Sequence, residues 1–176
     1  MPSLPLYRAA IDPAWIDYNG HLRDAYYGLI VSHAIDDVME TLGLDAAYRD
    51  RTRCTLYTLE MHLHYLHEVK STDELEVETS ILDCDEKRIH VGCRMTCLRY
   101  LAGQYPAGQY PAGRISETVA TADLMLLHVQ QGDNPRGAAL PAEIGRRLES
   151  LRMAAEAGAA WGPRSRMIEI KRRPAE

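Results

Sequence analysis

The sequence predicts an α+β fold in which a curved antiparallel sheet wraps around one buried central helix, with a further helix near the C-terminal end. Three observations point there. One long segment is apolar on nearly every side, four strand-like segments follow it, and an apolar stripe at helical spacing comes last. A helix with no polar side has to be enclosed, and a curved sheet is the simplest enclosure.

Residues 5–11 read as a short first strand, closed by Asp12-Pro13. The helix is expected from about Arg23 to Leu42, with Leu22, Ala25, Tyr26, Leu29, Ile30, Ala34, Val38 and Leu42 on one stripe. Tyr27, Val31, Ile35 and Met39 make the opposite side apolar too, and no formally charged residue occurs between Asp24 and Asp36. Gly43 is a suitable stop. From Tyr57 to Tyr65 the odd positions (Tyr57, Leu59, Met61, Leu63, Tyr65) alternate with Thr58, Glu60, His62 and His64. That pattern predicts a strand whose odd side faces the helix. Leu75 to Ile81 alternates likewise, and Ile89, Val91, Cys93, Met95 and Cys97 form the core side of a third strand. Ile115 to Val129 is a long fourth strand rich in small residues, so its orientation stays open. The tandem pentapeptide AGQYPAGQYPAG, Ala102 to Gly113, has the Gly and Pro density of a hairpin tip. Pro141 opens a helix with Leu140, Ile144, Leu148, Leu151 and Ala155 on one stripe. Residues 1–157 form one domain on this reading, and 158–176 a basic tail.

Composition narrows the function classes. The 176 residues are 46% apolar and 26% charged, ordinary values for a globular protein. The N-terminal residues lack the pattern of a secretory signal, and no run has the length of a membrane span. Cys54, Cys84, Cys93 and Cys97 show no CxxC spacing and read as reduced thiols of a cytoplasmic protein. In the tail, Arg164, Arg166, Lys171, Arg172 and Arg173 face only Glu169 and Glu176, a net of +3, so the rest carries −8 of the total of −5. A body that acidic repels nucleic acid, and neither a nucleic-acid nor a membrane partner is expected.

The stretch WIDYNGHLRDAYY, Trp15 to Tyr27, carries the chemistry. Asn19-Gly20 is a turn former, but Asp17, His21 and four aromatic residues crowd the same thirteen positions just before the helix. Asp17-Tyr18-Asn19-Gly20-His21-Leu22 resembles the D-x-x-G-H-V signature of the 4-hydroxybenzoyl-CoA-type acyl-CoA thioesterases, which have the hotdog fold. The chain is most similar to their betainyl-CoA thioesterases, including the thioesterase domain fused to some carnitine dehydrogenases. The matching stretches are WIDYNGH, LGLDAAY at 42–48, YTLEMHLHYLHEVK at 57–70, DEKRIH at 85–90 and LMLLHV at 124–129. Arg23-Asp24 stand where many of these enzymes have Asn-Asn. The resemblance puts Asp17 at the catalytic aspartate and implies a metal-free, cofactor-free enzyme acting on an acyl-CoA. It also implies a site built across a homodimer or larger homo-oligomer and a functional link to a carnitine dehydrogenase.

Elementary chemistry agrees with that assignment. Thioester hydrolysis needs a base or nucleophile and donors for the developing oxyanion. A helix start supplies unpaired amides and the positive end of a dipole. Gly20 admits a carbonyl close to the backbone. Asp17 would attack the carbonyl or activate water, with Asn19 or His21 orienting that water.

The chain has ten tyrosines, two tryptophans and no phenylalanine. Electron-rich rings suit a trimethylammonium group through cation–π attraction of about 0.5–2 kcal/mol each. Trp15, Tyr18, Tyr26, Tyr27, Tyr57 and Tyr65 are the candidate substrate-binding rings, with Trp15 the expected wall. Asp36, Asp37 or Glu60 would add negative charge. His62-x-His64-x-x-His67 offers ligand types for zinc, but only His62 and His64 share a strand face, so no metal is expected. His33 and Asp37 stand i, i+4, the spacing of a structural hydrogen bond. Cys93 and Cys97 lack the setting of a nucleophile. The expected activity is hydrolysis of betainyl-CoA to glycine betaine and CoA. Another short or aromatic acyl-CoA, or acyl-CoA binding without catalysis, are the alternatives.

Overall fold

The computed structural model describes residues 3–100 and 114–156; the pentapeptide duplication at 102–113 and the basic tail at 158–176 lie outside them. The strands are β1 (Tyr7–Ala10), β2 (Cys54–Tyr65), β3 (Glu74–Cys84), β4 (Arg88–Tyr100), β5 (Arg114–Gln130) and β6 (Arg136–Gly137). The helices are α1 (Asp24–Leu42), α2 (Ala46–Thr52) and α3 (Ala142–Glu156). One antiparallel sheet runs β1-β3-β4-β5-β2, with β6 paired to β5. It curls around α1, the hotdog architecture expected from the sequence.

The core is the contact between α1 and the inner side of the sheet. Tyr27, Ile30, Val31, Ala34, Ile35, Val38, Met39 and Leu42 of α1 are all buried. Leu75, Val77 and Ile81 of β3 meet them, as do Ile89, Val91, Cys93, Met95 and Cys97 of β4, the face that strand alternation predicts. On β5 the inner residues are Ala120, Ala122, Leu124 and Leu126. Ile144, Leu148 and Leu151 of α3 extend the same cluster. Gly43 ends α1 in the left-handed region at φ 84°, where its N–H reaches Glu40 O while Leu44 N–H reaches Met39 O. These are the two bonds of a Schellman cap, which a side chain at Gly43 would strain. Among the described residues no helix is long and apolar enough to cross a membrane.

The register slips between Thr58 and Glu60 of β2, between Ile81 and Asp83 of β3, and on β5, where Val119 is the extra residue opposite Met95 and Thr96 of β4. Each slip bends its strand and adds twist, which is how a sheet comes to curl around a single helix. The slip in β2 also overturns an expectation. Thr58 pairs with Leu126, Met61 with Leu124 and Tyr65 with Ala120, all inner positions of β5. Tyr57 pairs with Leu127 and so lies on the outer face. Tyr57 and Tyr65 therefore do not share the helix-facing side, because the extra residue at Leu59 reverses the alternation. The odd positions are not a buried face either: Tyr57 is 39% exposed, Leu59 57%, Met61 41% and Tyr65 53%.

Two elements lie outside the sequence expectations. The short α2 is capped by Asp45, whose carboxylate accepts from Tyr48 N at 2.7 Å. Its Tyr48 hydroxyl meets buried His128 Nε2 at 2.9 Å, and His128 Nδ1 lies 3.0 Å from Ala138 O, beside the two-residue β6. A ring with its proton on Nδ1 would donate to Ala138 O and accept from the Tyr48 hydroxyl. His33 also differs from expectation. Its Nδ1 stands 3.3 Å from the Tyr7 hydroxyl, tying α1 to β1 across the core edge, so the partner is not Asp37.

The β3–β4 turn is held by Asp85. Its Oδ1 accepts from Lys87 N (2.9 Å) and Arg88 N (2.7 Å), and its Oδ2 from Arg88 Nε (2.9 Å) and Nη2 (2.6 Å). Burial opposes ionisation, but these bonds outweigh it and hold the carboxyl below its usual range. A carboxyl with a depressed folded pKa stabilises the protein above the unfolded pKa and stops doing so as pH falls through the folded value. Asp85→Asn should therefore cost about 1 kcal/mol near neutral pH, allowing for solvent screening of a partly exposed pair. Urea denaturation should show that deficit shrinking as the solution is acidified below the carboxylate range. A constant deficit would mean that Asp85 acts by shape alone.

Candidate active site

The residues before α1 fold into a miniature hairpin. Ile16 and Leu22 form an antiparallel bridge, Asp17 N–H bonds His21 O at 2.8 Å, and Gly20 N–H bonds Asp17 O at 3.0 Å. Gly20 sits at φ 81°, the left-handed residue that a three-residue hairpin loop requires. The sequence dictates this shape: Asp begins such turns, and Gly accepts the positive φ that closes them. The hairpin is fastened on both sides. Leu22 N–H bonds Val69 O (2.8 Å), Arg23 N–H bonds Trp15 O (3.0 Å), and His21 pairs with Lys70 in a second isolated bridge. Ahead of it, Asp12 caps a single 3₁₀ turn at Pro13–Trp15 by accepting from Ala14 N at 2.8 Å.

Asp17 is therefore a rigid carboxylate. Its Oδ1 accepts from Asn19 N (2.8 Å) and His21 N (3.1 Å). The His21 amide bond is the main reason that its carboxyl is held below the usual range. The amide and side chain of Asn19 add to the effect, while desolvation opposes it. Asp17 is thus ionised at neutral pH. Six positions along the chain, α1 begins with Arg23 at the N-cap and no side-chain cap. Asp24 covers only the Ala25 amide, at 2.8 Å. The carboxylate and the helix start, an end of positive potential, belong to one hydrogen-bonded segment, since Arg23 N–H bonds Trp15 O.

Beside the hairpin lies an open cleft of about 330 Å³ lined by His21, Leu22, Asp24, Tyr27, Tyr65, Leu66, His67 and Glu68. His21 joins it to Asp17, because its amide holds the carboxylate while its ring forms part of the wall. The Tyr27 and Tyr65 rings meet edge to face, with centroids 5.2 Å apart and planes at 89°. Both hydroxyls are anchored, Tyr65 donating to Asp24 O (3.2 Å) and Tyr27 to His67 O (3.5 Å). His21 Nε2 stands 3.1 Å from Glu68 Oε2.

Similarity to known proteins is of the same kind. A sequence model of the thioesterase-like superfamily matches residues 11–148. The chain belongs to this superfamily. The thioesterase is 40% identical over 148 residues to the betainyl-CoA thioesterase of Pseudomonas aeruginosa, covering 84% of this chain and 83% of that one. It is 34% identical to the L-carnitine dehydrogenase/betainyl-CoA thioesterase of Agrobacterium fabrum over 84% of its own length, and spans 27% of that longer protein. A crystal structure of a candidate thioesterase from Pseudomonas putida KT2440 superposes with a TM-score of 0.71 at 37% identity, covering 97% of this chain and 99% of the other. The protein is an acyl-CoA thioester hydrolase.

The thioesterase brings together only part of the residue set expected from its sequence. Asp17, Asn19, Gly20 and His21 share the hairpin, and Tyr27 and Tyr65 share the cleft. Trp15 stacks on Tyr26, with centroids 5.2 Å apart and planes at 15°, and neither lines the cleft. Tyr18 is 95% exposed at the hairpin tip, and Tyr57 is on the outer sheet face. Glu60 bonds His62 at 2.8 Å on that same outer face, and His67 lies 3.6 Å from Glu117. Cys93 is no nucleophile: burial, with help from Asp123, pushes its thiol up to about 12. Sequence reasoning missed Asp24 and Glu68, and weighed His67 only as a metal ligand. The His21–Lys70 bridge puts Glu68 in the cleft, and such long-range pairing leaves no local periodicity to read.

Gly20 gives a clean test of this geometry. A Cβ there would meet nothing within 4 Å, so any cost comes from φ alone. Gly20→Ala should lose about 1–2 kcal/mol in chemical denaturation, and Gly20→Asn distinctly less, since Asn tolerates the left-handed region. Equal losses would mean that the turn has another conformation.

Proposed function

We propose that the protein hydrolyses betainyl-CoA, releasing glycine betaine and CoA in the cytoplasm. The observation that carries this reading is the 40% identity to a betainyl-CoA thioesterase over 148 residues, 84% of this chain. The geometry supplies the chemistry. The thioester carbonyl approaches the start of α1, whose amides and dipole favour the developing oxyanion. Asp17 either takes the proton of an attacking water or attacks the carbonyl carbon itself, water then releasing the acyl group. By either route the C–S bond breaks, CoA leaves as the thiolate and takes up a proton, and the acid departs as carboxylate. A functional link to a carnitine dehydrogenase follows from the same likeness, because the Agrobacterium relative carries both names.

The active unit in this reading is a homodimer. β2 ends the sheet, and among the described residues only its β5 side is paired. Leu59, Met61, Tyr65 and Leu66 are exposed along it. A long apolar edge of this kind is an invitation to pair, and a second copy of β2 would continue the sheet and cover the strip. Light scattering at micromolar protein should give at least twice the chain mass. A monomer would contradict the assembly.

Asp17→Asn tests the chemistry, because asparagine keeps the Oδ1 acceptor for the amides of Asn19 and His21 while losing the basic oxygen. The fold should persist, and thiol release from betainyl-CoA should drop by about 10²–10⁴. Turnover close to wild type would remove Asp17 from the reaction. A wild-type protein that binds the thioester but leaves it intact would point to a binding protein.

A further inference from the structure

We infer that Glu68 is the residue that makes the cleft select a cationic acyl group. The inference rests on the betainyl-CoA reading and adds the side chain that separates a trimethylammonium head from a neutral group of the same shape. Tyr27 is almost fully buried, so the ring surface that the cleft offers is chiefly that of Tyr65. One ring face attracts a cation weakly, and a nearby carboxylate adds a full opposite charge.

None of the acids expected from the sequence stands here. Glu60 is engaged with His62 on the outer face. Asp37 lies near Tyr7, where its charge helps to raise the phenol's pKa, though burial is the larger cause. Asp36 lines a separate groove between α1 and β2 with Ser32, Thr58 and Met61. Asp24 also lines the cleft and keeps its charge, but its carboxylate caps the Ala25 amide at the start of α1, whereas that of Glu68 meets the His21 ring. Glu68 is the acid joined to the reaction centre, through His21: Oε2 is 3.1 Å from His21 Nε2, and the His21 amide holds Asp17 Oδ1 at 3.1 Å.

Substrate chemistry requires that proximity. In a betaine thioester one methylene separates the nitrogen from the carbonyl carbon, so the cation lies beside whatever Asp17 acts on. Glu68 meets the ring of the residue whose backbone amide holds Asp17, which keeps its carboxylate within Coulomb reach of that cation. Lys70 competes, with Nζ 4.0 Å from Glu68 Oε1. Both side chains of that pair are exposed, so solvent screens it, and screens the reach of Glu68 to the substrate as well.

The test compares kcat/KM for betainyl-CoA with that for its uncharged isostere, 3,3-dimethylbutyryl-CoA, in wild type, Glu68→Gln and Lys70→Met. Glutamine keeps the size of Glu68 and a polar contact to His21. In Glu68→Gln the betainyl-to-isostere ratio should fall about twofold to fivefold, mostly through betainyl-CoA. In Lys70→Met the ratio should hold or rise. Equal losses on both substrates in Glu68→Gln would show that Glu68 acts only by positioning His21, and a lower ratio in Lys70→Met would also overturn the assignment. A wild type that does not prefer betainyl-CoA to the isostere would instead refute the substrate reading. A wild-type preference that survives in Glu68→Gln would refute the role of Glu68 alone.

Discussion

Two backbone amides on one carboxylate oxygen are the constraint from which the rest of the site follows. Oδ1 of Asp17 is held by the N–H groups of Asn19 and His21, and those bonds exist only because Gly20 takes a positive φ. They fix the direction of the carboxylate and favour its ionised form. They also fix the point at which α1 starts, because Leu22 and Arg23 are pinned to Val69 and Trp15. The residue that shapes the turn is also the one proposed to do the chemistry. Forming the turn is what preorganises the carboxylate.

The sheet is organised around a second constraint, the enclosure of α1. Register slips curl the strands, and the one at Leu59 has a further consequence on β2. It sends Tyr57 outward and leaves Leu59, Met61 and Tyr65 exposed on the strand that ends the sheet. Gly28 belongs to the same region: a Cβ there would stand 3.4 Å from Met61 Cε, so glycine lets α1 run close to β2. An exposed apolar edge costs solubility in a lone chain and becomes an asset once a second copy covers it. Curvature, exposed apolar edge and cleft thus meet at the end of β2, where Tyr65 closes onto Tyr27 and Asp24.

Much of this was legible in the sequence, for identifiable reasons. The all-round apolar pattern of α1 and its glycine stop are local, and both appear where expected. The core face of β4 follows from simple alternation, because no extra residue interrupts Ile89 to Cys97 on that strand. On β2 alternation failed because one inserted residue reverses it, and Leu59 looks like any other apolar position in sequence. The seven residues of α2 are too few to show a period, although Asp45 is a recognisable cap. In the site, the hairpin was legible because Asp, Asn and Gly have intrinsic turn chemistry. Glu68 was not, because it reaches His21 only through strand-like pairing between segments almost fifty positions apart. Trp15 illustrates a different limit: closeness in sequence to Asp17 did not put its ring in the cleft, since its face is taken by Tyr26.

The amide bonds to Asp17 are directly measurable. Carbon-13 NMR of the side-chain carboxyls, with Asp17 identified through Asp17→Asn, would give its titration in the folded protein. The bonds from His21 and Asn19 require a midpoint below the ordinary aspartate range, so the group should stay ionised until well into acid. A midpoint at or above that range would mean that the turn does not hold the carboxylate, and the hairpin would lose its role as the preorganised centre of the site.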